Sequence, residues 1–132
     1  MPGGAGDHLG ARPADAVVVF GGLVCTTQIP DREDGSIELG GIRQQTRQTL
    51  ANLADALSRA HSDLSRLLHL TIYLTDIEDR DAFNEVYAEV IPRPCPVRCC
   101  VAVAALAVEG MRVEVTALAA RSVWPSEAER GA

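Results

Sequence analysis

Arg98 opens the chemically active part of the chain. In PCPVRCCVAVAAL, residues 94–106, this permanent cation stands near the start of an apolar run, and two thiols, Cys99 and Cys100, follow it directly. A little further on, in MRVEVTALAA, residues 111–120, Glu114 sits between two valines. A guanidinium offers a planar fork that can grip a carboxylate with two hydrogen bonds, and a nearby glutamate can aim a water or move a proton. Alternation puts Arg98, Cys100 and Ala102 on one face of a first strand, and Arg112, Glu114 and Thr116 on one face of a second. If those strands lie in register, Arg98 and Glu114 look into one space. Two readings then stand side by side: a structural ion pair, or a carboxylate site with a group that can activate water.

Other candidates carry less. A nucleophilic Cys100 needs an activating base, and His69, the candidate by type, is a lone strand histidine of the kind that is usually structural. Cys99 and Cys100 point to opposite faces of a strand, so they are poor disulfide partners. Cys95, Cys99 and Cys100 lack paired C-x-x-C spacing, and no metal centre is expected. Gly21-Gly22 within an apolar strand suggests a bulge or a close backbone approach, and no nucleotide-binding glycine pattern is present.

Composition narrows the functions further. All 12 basic side chains are arginines, so Schiff-base chemistry on a protein lysine, including attachment of pyridoxal phosphate, is excluded. A net charge of −6 gives a nucleic acid or an anionic membrane little to hold. The apolar run AVVVFGGLVC, residues 16–25, lacks a basic flank and a cleavage site, and no run reaches the roughly 18 residues that span a bilayer. A cytoplasmic setting with reduced thiols is expected.

These residues must be positioned by a single domain over residues 16–122, between a flexible start (1–15) and a frayed tail (123–132). A strand is expected over 16–25, then turn chemistry in PDREDGS. Ile42, Thr46, Thr49, Leu50, Leu53 and Leu57 recur at helical spacing, predicting a helix from 42 to about 60. LLHLTIYLTD, residues 67–76, alternates as a strand with Leu68, Leu70, Ile72 and Leu74 on the buried side. A second helix over 79–91 stacks Ala82, Phe83, Val86, Tyr87 and Val90, and IPRPCP ends it. Strands over 97–106 and 111–121 flank a turn near Gly110. The order predicts an α+β fold, a mixed sheet covered on one face by two helices. Its other face mixes Thr, Tyr and Cys with small apolar residues, which points to oligomerisation or a ligand.

QTRQTLANLADALSRAHSDLSRLLHLTIYLTDIEDRDAFNEVYAEV, then PVRCCVAVAAL, then RVEVTALAA closely resemble the Rid family of reactive-intermediate deaminases, also called YjgF. The likeness covers roughly residues 17–121. It is carried by the helix motif around Asn52, the NEVYAEV segment at Asn84, the P-x-R of Pro96 to Arg98 and the V-E of Glu114. The resemblance implies a chorismate-mutase-like fold assembled as a homotrimer, with active sites at subunit interfaces. It implies that Arg98 grips the carboxylate of a 2-imino acid, that main-chain groups at Cys100 address the imine nitrogen, and that Glu114 orients the attacking water. Asn84 and Gly21 join the implied substrate-binding set. Hydrolysis to a 2-keto acid and ammonia is implied without metal or organic cofactor.

Three positions depart from the family pattern. Gly21-Gly22 stands where a Ser or Thr often precedes glycine, GDHLGARPADA lacks the family's pocket tyrosine segment, and His61 replaces a helix-ending glycine. A pocket missing both hydroxyls is wider and less polar. That favours, as a second reading, a pathway-specialised relative acting on a larger imine or enamine. A third, of another class, is a non-catalytic trimer that binds a carboxylated metabolite.

Overall fold

In the computed structural model, which describes residues 16–122, the run expected as one strand over 16–25 folds back on itself at Gly21 and Gly22. It forms two strands, β1 (Val17–Phe20) and β2 (Leu23–Gln28), with Phe20 opposite Leu23 across a two-residue loop. Gly21 takes φ 58°, a conformation open to glycine without a steric cost. The glycine pair is therefore a hairpin turn and not a bulge. The segments 1–15 and 123–132 lie outside the described residues.

Helix α1 (Ile42–Arg59) buries the face its spacing predicts. Thr46 and Thr49 enter the core because each hydroxyl donates back to a main-chain carbonyl, of Ile42 and Gln45 respectively. Asn52, at the centre of the helix motif, is a clamp: its Nδ2 donates to the Ile29 and Asp31 carbonyls, each at 2.8 Å. The helix ends at Ala60, and His61 takes φ 64°, so that the Ser62 N–H can reach the Leu57 carbonyl at 2.8 Å.

Strand β3 (Leu67–Leu74) carries an irregularity between Leu67 and His69. The extra residue reverses the expected assignment at its start: Leu67 is buried and Leu68 is 44% exposed. Leu70, Ile72 and Leu74 are fully buried as predicted. Helix α2 (Arg80–Val90) packs Phe83, Val86 and Tyr87 inward. It carries the chain over the sheet to β4 (Val97–Ala102), and β5 (Val113–Ala120) completes it.

The sheet order is β1-β2-β5-β3-β4. All neighbours run antiparallel except β3 and β4, which are parallel because α2 provides the crossover. The mixed sheet with two helices on one face is thus as expected, but the last two strands are not neighbours. Strand β5 takes the free edge of β3, so β3 lies between β4 and β5.

Register then sets sidedness. Leu70 pairs with Arg98 and Ile72 with Cys100, so those two side chains share the helix-covered face. Tyr73 pairs with Glu114 and Thr71 with Thr116, so these occupy the open face. That open face also carries Phe20, 82% exposed, and Val97, 68% exposed, together with Val18, Leu23 and Val101.

A left-handed histidine costs about 1–2 kcal/mol in backbone strain, and glycine returns part of that as chain entropy. Replacing His61 with Gly is expected to stabilise the fold by about 0.5–1 kcal/mol. The check is thermal unfolding, with the midpoint rising by a few degrees.

Candidate functional site

Arg98 reaches the helix side of β4 and is held on two sides by α2. Its Nη2 donates to Asn84 Oδ1 at 2.7 Å, which fixes one edge of the guanidinium. Its Cζ lies 4.6 Å from the Tyr87 ring centroid and 5.8 Å from that of Phe83. Asn84 and Tyr87 stand three residues apart on α2, so one helical face supplies both the edge tether and the aromatic floor. Tyr87 is itself fixed, 6% exposed and stacked at 5.9 Å against the buried Phe83.

The charge of Arg98 is not neutralised: among the described residues it makes no ion pair. Arg112 contrasts with it. Its Nε and Nη2 donate to the two carboxylate oxygens of buried Asp79, each at 3.1 Å, and its own N–H donates to Gln45 Oε1. Arg112 is a structural ion-pair partner; Arg98 keeps donors available.

Cys100 follows Arg98 on the same face. Burial pushes its thiol above the usual range and outweighs the opposing charges of Arg98 and Arg80. It is therefore held as a thiol. His69 lies on the opposite face, paired with Val97 and Leu118, and cannot serve Cys100 as a base.

The main chain at Cys100 has more to offer. Val103 N–H donates to the Leu74 carbonyl at 2.8 Å, so the alternating residues Val97, Cys99 and Val101 turn their main-chain groups toward β3. Arg98 and Cys100 turn theirs outward, along an edge of the sheet that no strand among the described residues covers. A polar main-chain edge thus runs beside the tethered guanidinium.

Glu114 is half-buried on the open face, and burial alone raises its carboxyl above the ordinary range. Within one chain it does not meet Arg98: they lie on opposite faces, separated by two strand spacings, about 10 Å across β3, and by the offset from Leu70 to Tyr73 along it. The shared space imagined for them fails because the strands are not adjacent. Gly21 lies at the tip of the hairpin on the opposite edge strand, four spacings or about 19 Å from β4. Arg98, Asn84 and Cys100 are thus brought together by one chain, and Glu114 and Gly21 are not. The role of Tyr87 as the floor under Arg98 was hidden by its membership in the apolar stripe of α2; only its spacing from Asn84 hinted at it.

Among the described residues, a tethered arginine without an ion-pair partner thus lies beside a sheet edge on a mixed-sheet α+β domain, an arrangement chemically able to accept a carboxylate. The chain belongs to the Rid/YjgF family: residues 11–121 match the family model described as Endoribonuclease L-PSP. It is 40% identical over 106 residues to Protein mmf1, mitochondrial, of Schizosaccharomyces pombe, covering 79% of this chain and 65% of that protein, just under two thirds of its length. It is 30% identical over 118 residues to the human 2-iminobutanoate/2-iminopropanoate deaminase, covering 89% and 82% of the two chains. Among solved structures, Escherichia coli TdcF with bound serine superposes with a TM-score of 0.77 at 30% identity, covering 84% of this chain and 90% of that one.

In a variant keeping Cys100 as its sole cysteine, the pH profile of alkylation by iodoacetamide should have its midpoint above 9.0, the ordinary thiol value. Arg98→Ala should move it higher still, because the guanidinium favours the thiolate. A midpoint at or below 9.0 would return Cys100 to the list of nucleophiles.

Proposed function

We propose that this protein is an imine/enamine deaminase that hydrolyses a carboxylate-bearing imine to a 2-keto acid and ammonia. The observation that carries the reading is the Arg98 guanidinium, pinned by Asn84 and Tyr87 and left without a counter-ion among the described residues. Deaminase-named relatives across most of the chain support the reaction class.

The substrate carboxylate takes the open fork of Arg98. This sets the adjacent C=N beside the outward-facing main chain of Cys100, which hydrogen-bonds the nitrogen. Water adds to the imine carbon as one of its protons passes to a carboxylate and from there to the imine nitrogen, giving a carbinolamine. The carbinolamine then collapses: its hydroxyl proton is relayed by the same carboxylate to the amine nitrogen as the C–N bond breaks, and neutral ammonia and the keto acid depart. The electrophile is already present in the substrate, so the steps ask only for binding, polarisation and an aimed water.

The carboxylate that aims the water is Glu114, and it comes from a second copy of the chain. Topology supports this, since β3 keeps Glu114 and Arg98 of one chain on opposite faces. The open face, with Phe20 and Val97 exposed, supplies the apolar surface on which copies would pack, as a homotrimer. Gly21 reaches a site in the same way, across the seam. We place the protein in the cytoplasm, where its four free thiols stay reduced; fluorescence imaging of the tagged full chain checks this against the mitochondrion named for its yeast relative.

Two experiments test the reading. Arg98→Ala and Glu114→Gln should each reduce ammonia release from freshly generated 2-iminopropanoate by about 10²-fold or more. Refolding the two inactive variants together should then restore about a quarter of wild-type activity, the share of seams that receive both intact residues by random assembly of a ring. No recovery would place both residues in one chain's site and overturn the shared seam. Tight keto-acid binding with no turnover on any imine would favour the binding protein over the enzyme.

Because Glu114 is needed ionised and burial raises its pKa, kcat/KM should fall on the acid side with a midpoint above 4.5. The Glu114→Gln variant should lose that limb.

A further inference from the structure

Arg80 opens α2, where the helix dipole disfavours a cation. It stands one turn before Asn84 and two turns before Tyr87, on the same helical face. That face is the one overlooking β4, because both Asn84 and Tyr87 touch Arg98. Helix α2 returns the chain between parallel strands, so it runs opposite to β4. The step from Arg98 to Cys100 along β4 therefore leads toward the start of α2, and toward Arg80. The charge of Arg80 is felt at the Cys100 thiol, which it favours ionising.

Among the described residues Arg80 also lacks a local counter-ion. Of the acidic residues of α2 and its cap, Asp79 is held by Arg112, Glu85 by Arg43 and Glu89 by Arg47. Asp81 is the next residue, turned about 100° away around the helix. Among the described residues Arg80 is exposed and in no ion pair. Two uncompensated guanidinium groups thus flank Cys100 on one strip of a chain whose net charge is −6.

We propose that Arg80 is a second anion-binding group of this site, and that the preferred imine carries a further anionic group beyond the carboxylate held by Arg98. This rests on the reading of Arg98 as a carboxylate anchor. One helical turn separates Arg80 from Asn84, about 6 Å along the axis, and one strand repeat separates Arg98 from Cys100, about 6.6 Å. A 2-imino dicarboxylate of four to six carbons suits that separation: its first carboxylate lies on Arg98, its C=N at the Cys100 edge, and its distal carboxylate at Arg80. Arg80 is then a specificity-determining residue; it touches no reacting atom.

The test compares two product-like ligands of similar length, 2-oxoglutarate and 2-oxohexanoate, by calorimetry on the full chain. The wild type should bind the dicarboxylate about fivefold more tightly, the scale of one solvent-reachable ion pair, and the ratio should shrink as salt is raised. Arg80→Gln should bring the ratio to about one, and Arg98→Ala should weaken both ligands. Equal wild-type affinities, or a ratio unchanged by Arg80→Gln, would overturn the second anion site while leaving the anchor in place. Failure of the wild type to bind either ligand would overturn the anchor itself and the second site with it. Arg80 is exposed, so its variant should fold; unchanged thermal unfolding of Arg80→Gln, with its ligand ratio lost, separates recognition from a structural role.

Discussion

The position of β3 between β4 and β5 governs where every functional side chain of this domain points. Consecutive strands commonly pair with one another, which would have laid β5 against β4. The helical crossover through α2 prevents this by laying β4 parallel to β3 and leaving the other edge of β3 for β5. Arg98 is thereby delivered to the helix side, against Asn84 and Tyr87, and Glu114 to the open side. A constraint of chain connectivity thus places a cation and an anion on opposite faces of one sheet.

The two arginines near the sheet show what that separation achieves. Arg112 meets a buried carboxylate in a two-point contact, and its charge is consumed in tying the start of α2 to the last strand. Arg98 is stabilised by an amide oxygen and an aromatic face instead. Those partners hold a guanidinium without cancelling its charge, since neither carries a full negative one. They also fix its plane, so the remaining donors face one direction before any ligand arrives. Binding then loses little side-chain freedom, which is where a flexible arginine on an open surface would lose affinity.

Much of this was legible in the residues themselves. The helical face of α1 emerged from its spacing because its buried threonines satisfy themselves locally, and the packing of α2 emerged from the helical spacing of Phe83, Val86 and Tyr87. The family could be read from four short motifs. Strand order could not be read, because pairing between β3 and its two neighbours depends on contacts distant in sequence. The exchange of Leu67 for Leu68 in the core was equally hidden, since one irregular residue inverts alternation without altering composition. The glycine pair was legible as a special backbone site, but turn and bulge differ only in what the next residues pair with.

The open sheet face and the separated charges are two aspects of one design. Among the described residues, a five-stranded sheet with helices on one side leaves the other side uncovered, and that side carries Phe20, Leu23, Val97 and Val101. Apolar surface of this kind is costly to hydrate, at about 25 cal/mol per Å², and its burial against another copy is correspondingly favourable. On the proposed reading, the same association brings Glu114 of one chain toward Arg98 of another. Assembly and catalysis would then share a driving force, because the surface that stabilises the oligomer is also the one that carries the water-aiming carboxylate. An isolated chain would retain the anchor, with Asn84 and Tyr87 holding it, but would lack the means to attack what it holds. On that reading, binding without turnover is the expected behaviour of a dissociated subunit, and turnover that of the assembled seam.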